Sequence, residues 1–107
     1  MNKNIKQYKP LFEGILKLKT VEECELFFDD LCTIKELQSI AQRFEVAQML
    51  YDENTYIDVG EKKGASTATI SRVNRCLVYG DGGYSIVLNR LKKDNKKENN
   101  TNATGTN

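Results

Sequence analysis

An all-α fold follows from three features of the sequence. Threonine stands three residues ahead of a carboxylate at Thr20–Glu23, Thr33–Glu36 and Thr55–Asp58, the spacing of a capping box at a helix start. Apolar residues recur at three- and four-residue intervals after each box, as one face of a helix requires. No stretch sustains the period-two alternation of a half-buried strand. A chain of 107 residues, 39% of them hydrophobic, is the size of one small domain.

The elements follow in order. A first helix passes through Leu11, Phe12, Ile15, Leu16 and Leu18. A second runs from Val21 to Leu31 with Leu26, Phe27, Phe28 and Leu31. The longest spans about Ile34 to Leu50, where Leu37, Ile40, Ala41, Phe44, Ala47 and Leu50 form a stripe, and Asp52-Glu53-Asn54 breaks it. So many Phe and Leu positions in the first half read as core or interface, and a dimer is more plausible than a monomer. Residues 55–76 then read TYIDVGEKKGASTATISRVNRC. A short helix ends at Lys63, Gly64 takes the positive φ of a helix C-terminus, and Ser66 caps a second helix. Helix, glycine-containing turn and helix form a helix-turn-helix pattern. Val59, Ala65, Ile70 and Val73 fall where the two helices pack, with Gly60 small at the crossing; Lys63 stands where a larger apolar residue is common. Three glycines between Val78 and Tyr84 make a turn, with no preceding strand or following Gly-Lys-Ser/Thr to make it a phosphate loop. Tyr84, Ile86, Val87, Leu88 and Leu91 form a short closing helix, so the domain spans residues 1–91. The tail 92–107, KKDNKKENNTNATGTN, is too polar to offset its ordering entropy and is expected to be disordered.

Composition narrows the function. With no histidine and no metal-binding spacing among Cys24, Cys32 and Cys76, zinc sites and Ser-His or Cys-His catalysis lose their usual parts. Glu22-Glu23 and Asp29-Asp30 sit on ordinary charged helix faces, so no catalytic residue, metal or cofactor is expected. The three cysteines read as buried small hydrophobes in a reducing cytoplasm; a redox switch at Cys76 is a minor alternative. No apolar run approaches the roughly 20 residues of a membrane span, and the opening Met1-Asn2-Lys3-Asn4-Ile5-Lys6 lacks a signal core. The net charge of +1 hides an asymmetry. Residues 1–54 hold seven Lys/Arg against ten Asp/Glu, whereas 55–107 hold nine against five. A basic second half suits a polyanion, although four of its lysines fall in the last sixteen residues.

The second helix of the 55–76 segment presents Ser66, Thr67, Ala68, Thr69, Ser71, Arg72 and Arg75 outward. Short side chains let a helix approach the major groove closely, hydroxyls bond phosphates or base edges, and arginines give charge-assisted contacts. Double-stranded DNA is therefore the expected partner. The competing readings are an ordinary helical hairpin with a solvated face and a protein–protein adaptor; an adaptor should show an apolar stripe there.

Ala41-Gln42-Arg43-Phe44 and the stretch from Lys63 to Leu77, KGASTATISRVNRCL, resemble the Trp-repressor-like superfamily, most closely its small bacterial YerC/YecD group of DNA-binding regulators. The resemblance covers about Leu11 to Leu91, with Ala-Thr-Ile-Ser-Arg its most specific piece. It implies an intertwined all-helical homodimer whose two helix-turn-helix units read adjacent major grooves. In that family tryptophan sits between the central long helix and the recognition helix, held partly by two arginines and a threonine. Thr33, Arg43 and Arg72 match those positions, making a possible effector pocket. Val73 stands for a glycine and Cys76 for a serine, so tryptophan co-repression is not expected to carry over.

Overall fold

A computed structural model describes residues 4–105, with side chains through Lys96. Among the described residues a 3-10 turn, Ile5–Tyr8, precedes six α-helices and no strand occurs. The helices are α1 (Lys9–Ile15), α2 (Val21–Leu31), α3 (Ile34–Tyr51), α4 (Tyr56–Lys63), α5 (Thr67–Tyr79) and α6 (Gly83–Gly105).

The threonine boxes start their helices where the spacing puts them. Glu23, Glu36 and Asp58 each donate their backbone N–H to the threonine hydroxyl three residues earlier, at 3.1, 3.1 and 3.2 Å. The carboxylates behave differently. Glu36 closes its box by accepting from the Thr33 N–H at 2.8 Å, whereas Glu23 reaches one residue further back, to the Lys19 N–H at 2.8 Å. Three of the helix ends are also built locally. Pro10 sits in the first turn of α1, where its missing N–H costs nothing. That helix stops at Ile15, short of the expected Leu18, because Lys17 and Leu18 turn back onto the Gly14 and Ile15 carbonyls. At the end of α3, Glu53 takes φ 66°, and the N–H groups of Glu53 and Asn54 bond the carbonyls of Leu50 and Met49. That is a Schellman turn made without glycine.

The described residues fall into two compact units, 4–41 and 42–105, and the division falls inside α3. The second unit owns the core. Val46 and Ala47 from α3, Val59 from α4, Ile70 and Val73 from α5 and Leu88 from α6 are buried together. Val46 is fully buried, although the expected α3 stripe leaves it out. It is one turn before Leu50 and beside Ala47, so the buried face of α3 is rotated toward 46, 47 and 50. In the first unit no described residue is buried. Phe27 and Phe28 meet edge to face at 5.4 Å, while Leu16, Val21, Leu26, Ile34 and Ile40 are exposed.

Two expectations are corrected. None of the cysteines lies in the core: Cys24 is exposed, and Cys32 and Cys76 are half-buried. The closing helix is long rather than short. It continues through Gly105, past Leu91 and across the segment read as a disordered tail. No glycine or proline interrupts residues 84–104, so nothing in the backbone stops it.

Candidate nucleic-acid interface

The α4–turn–α5 segment is built from local rules and fixed by three buried aliphatics. Thr55 caps α4, and Gly64 ends it with φ 63° while donating its N–H to the Gly60 carbonyl at 2.9 Å. Only glycine takes that conformation without strain. Ser66 caps α5 by accepting the Thr69 N–H at 3.2 Å. Val59, Ile70 and Val73 close the hairpin against the core, with Ala65 packed at its edge. Gly60 is not needed for space: a Cβ there would meet the Ile70 Cδ1 and the Ala65 carbonyl at an ordinary 3.8 Å.

Lys63 has an explanation in charge. Its amine lies 3.6 Å from the Glu45 carboxylate on α3, and its carbonyl accepts from the Gln42 side-chain amide at 3.4 Å. The lysine thus ties α4 to α3 from the rim, and with Lys62 it puts positive charge at the C-terminal end of α4, where the helix dipole favours it.

The outer face of α5 matches its expected composition. Ser66, Thr67, Ala68, Arg72 and Arg75 are exposed, and Thr69 and Ser71 are half-exposed. No ion pair among the described residues engages Arg72 or Arg75. The hydroxyls are not equivalent. Ser66 accepts from the Thr69 N–H and donates to the Thr69 hydroxyl at 3.0 Å, which leaves it a single acceptor site. Thr67 and Ser71 keep both donor and acceptor capacity on the exposed side. Ser66 is therefore first a cap, and the adaptable hydroxyls of this face are Thr67 and Ser71.

Of the residues that the resemblance groups as a possible effector pocket, Thr33 lies in the first unit and Arg43 and Arg72 in the second. The Thr33 hydroxyl and N–H are occupied by the Glu36 box. Arg43 and Arg72 both act on Tyr84, a half-buried residue of α6 packed against the core. Burial raises the Tyr84 phenol above its ordinary pKa, the nearby Cys76 adds to the rise, and the two arginines offset part of it. Tyr84 is thus a neighbour of Arg43, Arg72 and Cys76 that sequence reading placed only in the closing helix. No local pattern marks it, because the grouping exists only once α6 folds back onto α5. Val73, beside Arg72, is buried in the core.

Residues 6–92 match the family model described as Trp repressor protein. The uncharacterized protein YerC of Bacillus subtilis (strain 168) is 58% identical over 88 residues, covering 82% of this chain and 85% of the relative. Among solved structures, a candidate Trp repressor from Staphylococcus aureus superposes with a TM-score of 0.79 at 44% identity, covering 85% of this chain and 96% of its own. A TrpR-like protein from Eubacterium eligens ATCC 27750 gives 0.77 at 54% identity, covering 83% and 92%.

Proposed function

Since the chain belongs to the Trp repressor protein family, we propose that it is a sequence-specific DNA-binding transcriptional regulator acting as a homodimer. In this reading residues 1–91 form the DNA-binding domain, and α4 and α5 are its helix-turn-helix. The observation that carries it is the outer face of α5: small and hydroxyl side chains on the early turns, with two exposed arginines one turn later. That order suits a helix whose N-terminal turns meet base edges while cationic side chains reach the flanking phosphates. An adaptor surface would present an apolar stripe instead.

The homodimer is supported by the first unit. A segment carrying Leu16, Val21, Leu26, Leu31, Ile34, Leu37 and Ile40 in exposed positions, with no buried residue of its own, gains little hydrophobic stabilisation alone. A second copy covering that face supplies it, and two copies also furnish two readers for a twofold-symmetric site.

L-tryptophan is not an effector in this reading. Val73 occupies the core beside Arg72, and the Tyr84 ring is the aromatic group in the field of Arg43 and Arg72. Calorimetry with L-tryptophan is expected to show no saturable binding; a clear micromolar affinity would overturn that part.

Selection of bound duplexes from a random library tests the main reading. The expected product is a twofold-symmetric sequence with half-sites about one helical turn, roughly 34 Å, apart. Recovery of no enriched sequence over several rounds would count against it.

A further inference from the structure

Rested on the DNA-reading role of α5, a second observation assigns a contact at the far end of that helix. Ala68, Arg72, Arg75 and Tyr79 recur at helical spacing and share one stripe of α5, opposite Ile70, Val73 and Leu77, which pack into the core. Tyr79 ends the stripe and is 83% exposed, although it is a large aromatic residue. It is the last residue of α5. The next residue, Gly80, donates its N–H to the Cys76 carbonyl at 3.0 Å, and a Cβ on Gly80 would collide with that same carbonyl oxygen. The chain leaves the helix at Gly80, whose ψ of −173° is extended, so Tyr79 is the last helical residue.

Length decides what the ring meets. From Ala68 to Tyr79 the helix rises about 16 Å, whereas the major groove is about 12 Å wide. A helix whose first turn reads base edges therefore carries its last turn to the groove wall, where phosphates and sugars lie. We propose that the Tyr79 hydroxyl donates a hydrogen bond to a backbone phosphate of the bound duplex, with the ring lying against the adjoining sugar, making Tyr79 a sequence-independent anchor. A phenol is neutral, so this contact releases no counterion, unlike that of an arginine.

The test titrates the full-length protein and its Tyr79→Phe, Tyr79→Ala and Arg75→Ala variants against a library-selected duplex and a scrambled one. Fluorescence anisotropy at several salt concentrations gives affinity and slope, and sedimentation gives the oligomeric state. Tyr79→Phe should weaken both duplexes alike, by roughly five- to tenfold for each hydrogen bond lost and so about 25- to 100-fold for a bound dimer, with the salt slope unchanged. Tyr79→Ala should lose at least as much, with the oligomeric state kept. Arg75→Ala should instead flatten the slope by about one unit per protomer, about two for the bound dimer. The assignment is overturned if Tyr79→Phe binds like the parent while Arg75→Ala is weakened, or if its loss is confined to the selected duplex. It is equally overturned if Tyr79→Ala shifts the protein to a smaller species, since the ring would then belong to a protein contact. Parent-like binding by both Tyr79→Phe and Arg75→Ala would remove the DNA-reading role of α5 along with the anchor.

Discussion

Glu36 carries a pH signature that follows directly from its geometry. Its carboxylate accepts the Thr33 N–H and also interacts with the Thr33 hydroxyl, and these two interactions hold the carboxyl below the usual glutamate range. A depressed carboxyl contributes stability that is present above its unfolded pKa, about 4.3, and is lost as pH falls through the lower folded value. Glu36→Gln should therefore melt below the parent at neutral pH, with the two curves converging as the solution is made strongly acidic. Tyr84 has the opposite sign. Its raised pKa favours the neutral phenol in the fold, so the stability it brings is present below about pH 10 and lost as pH rises through the folded value. Tyr84→Phe should resist alkaline melting better than the parent. The first effect was legible in the sequence, because Thr-x-x-Glu is a local pattern. The second was not: Tyr84 acquires its neighbours Cys76, Arg43 and Arg72 only through tertiary packing.

At the scale of helices, the hairpin of α4 and α5 was readable because each of its joints is local. Thr55, Gly64 and Ser66 announce a start, a stop and a second start within twelve residues. The buried side of α5 follows from the same periodicity. Ile70→Ala should destabilise the protein by about 2–5 kcal/mol in a denaturant titration, the cost of a cavity in a small core. The end of α3 was readable only as a polar break. Its Schellman turn places Glu53, which has a Cβ, in the left-handed region at φ 66°. That conformation costs a non-glycine residue roughly 1–2 kcal/mol, and glycine gives back about half of the relief in chain entropy. Glu53→Gly is expected to raise stability by up to about 1 kcal/mol, measured by chemical denaturation; a loss of stability would show that the Glu53 side chain matters more than its backbone. The end of α6 was misread because composition reports whether a segment can bury surface, whereas helix termination depends on a breaker that residues 84–104 lack.

At the scale of the molecule, the distribution of burial governs the account. Every buried residue among those described lies in α3 to α6, and residues 4–41 bury none while exposing several leucines and isoleucines and Val21. The periodicity of those residues was visible in the sequence. What covers them was not, since helical spacing marks an apolar face without saying what lies on it. Light scattering at micromolar concentration should report a dimer, and Leu26→Glu, on the exposed face of α2, should shift it toward smaller species. Charge divides at a different point: residues 1–54 hold seven Lys/Arg against ten Asp/Glu, and residues 55–107, which include α4 and α5, hold nine against five. The claim on which all of this converges is that α5 reads DNA, and a paired titration of Thr67→Ala and Arg75→Ala on selected and scrambled duplexes at several salt concentrations tests it most directly. Thr67→Ala should lose about 1 kcal/mol of discrimination at one or two base pairs of each half-site, and Arg75→Ala should weaken both duplexes alike with a salt slope lower by about one unit per protomer, about two for the dimer. Unchanged affinity, slope and specificity in both variants would contradict the account.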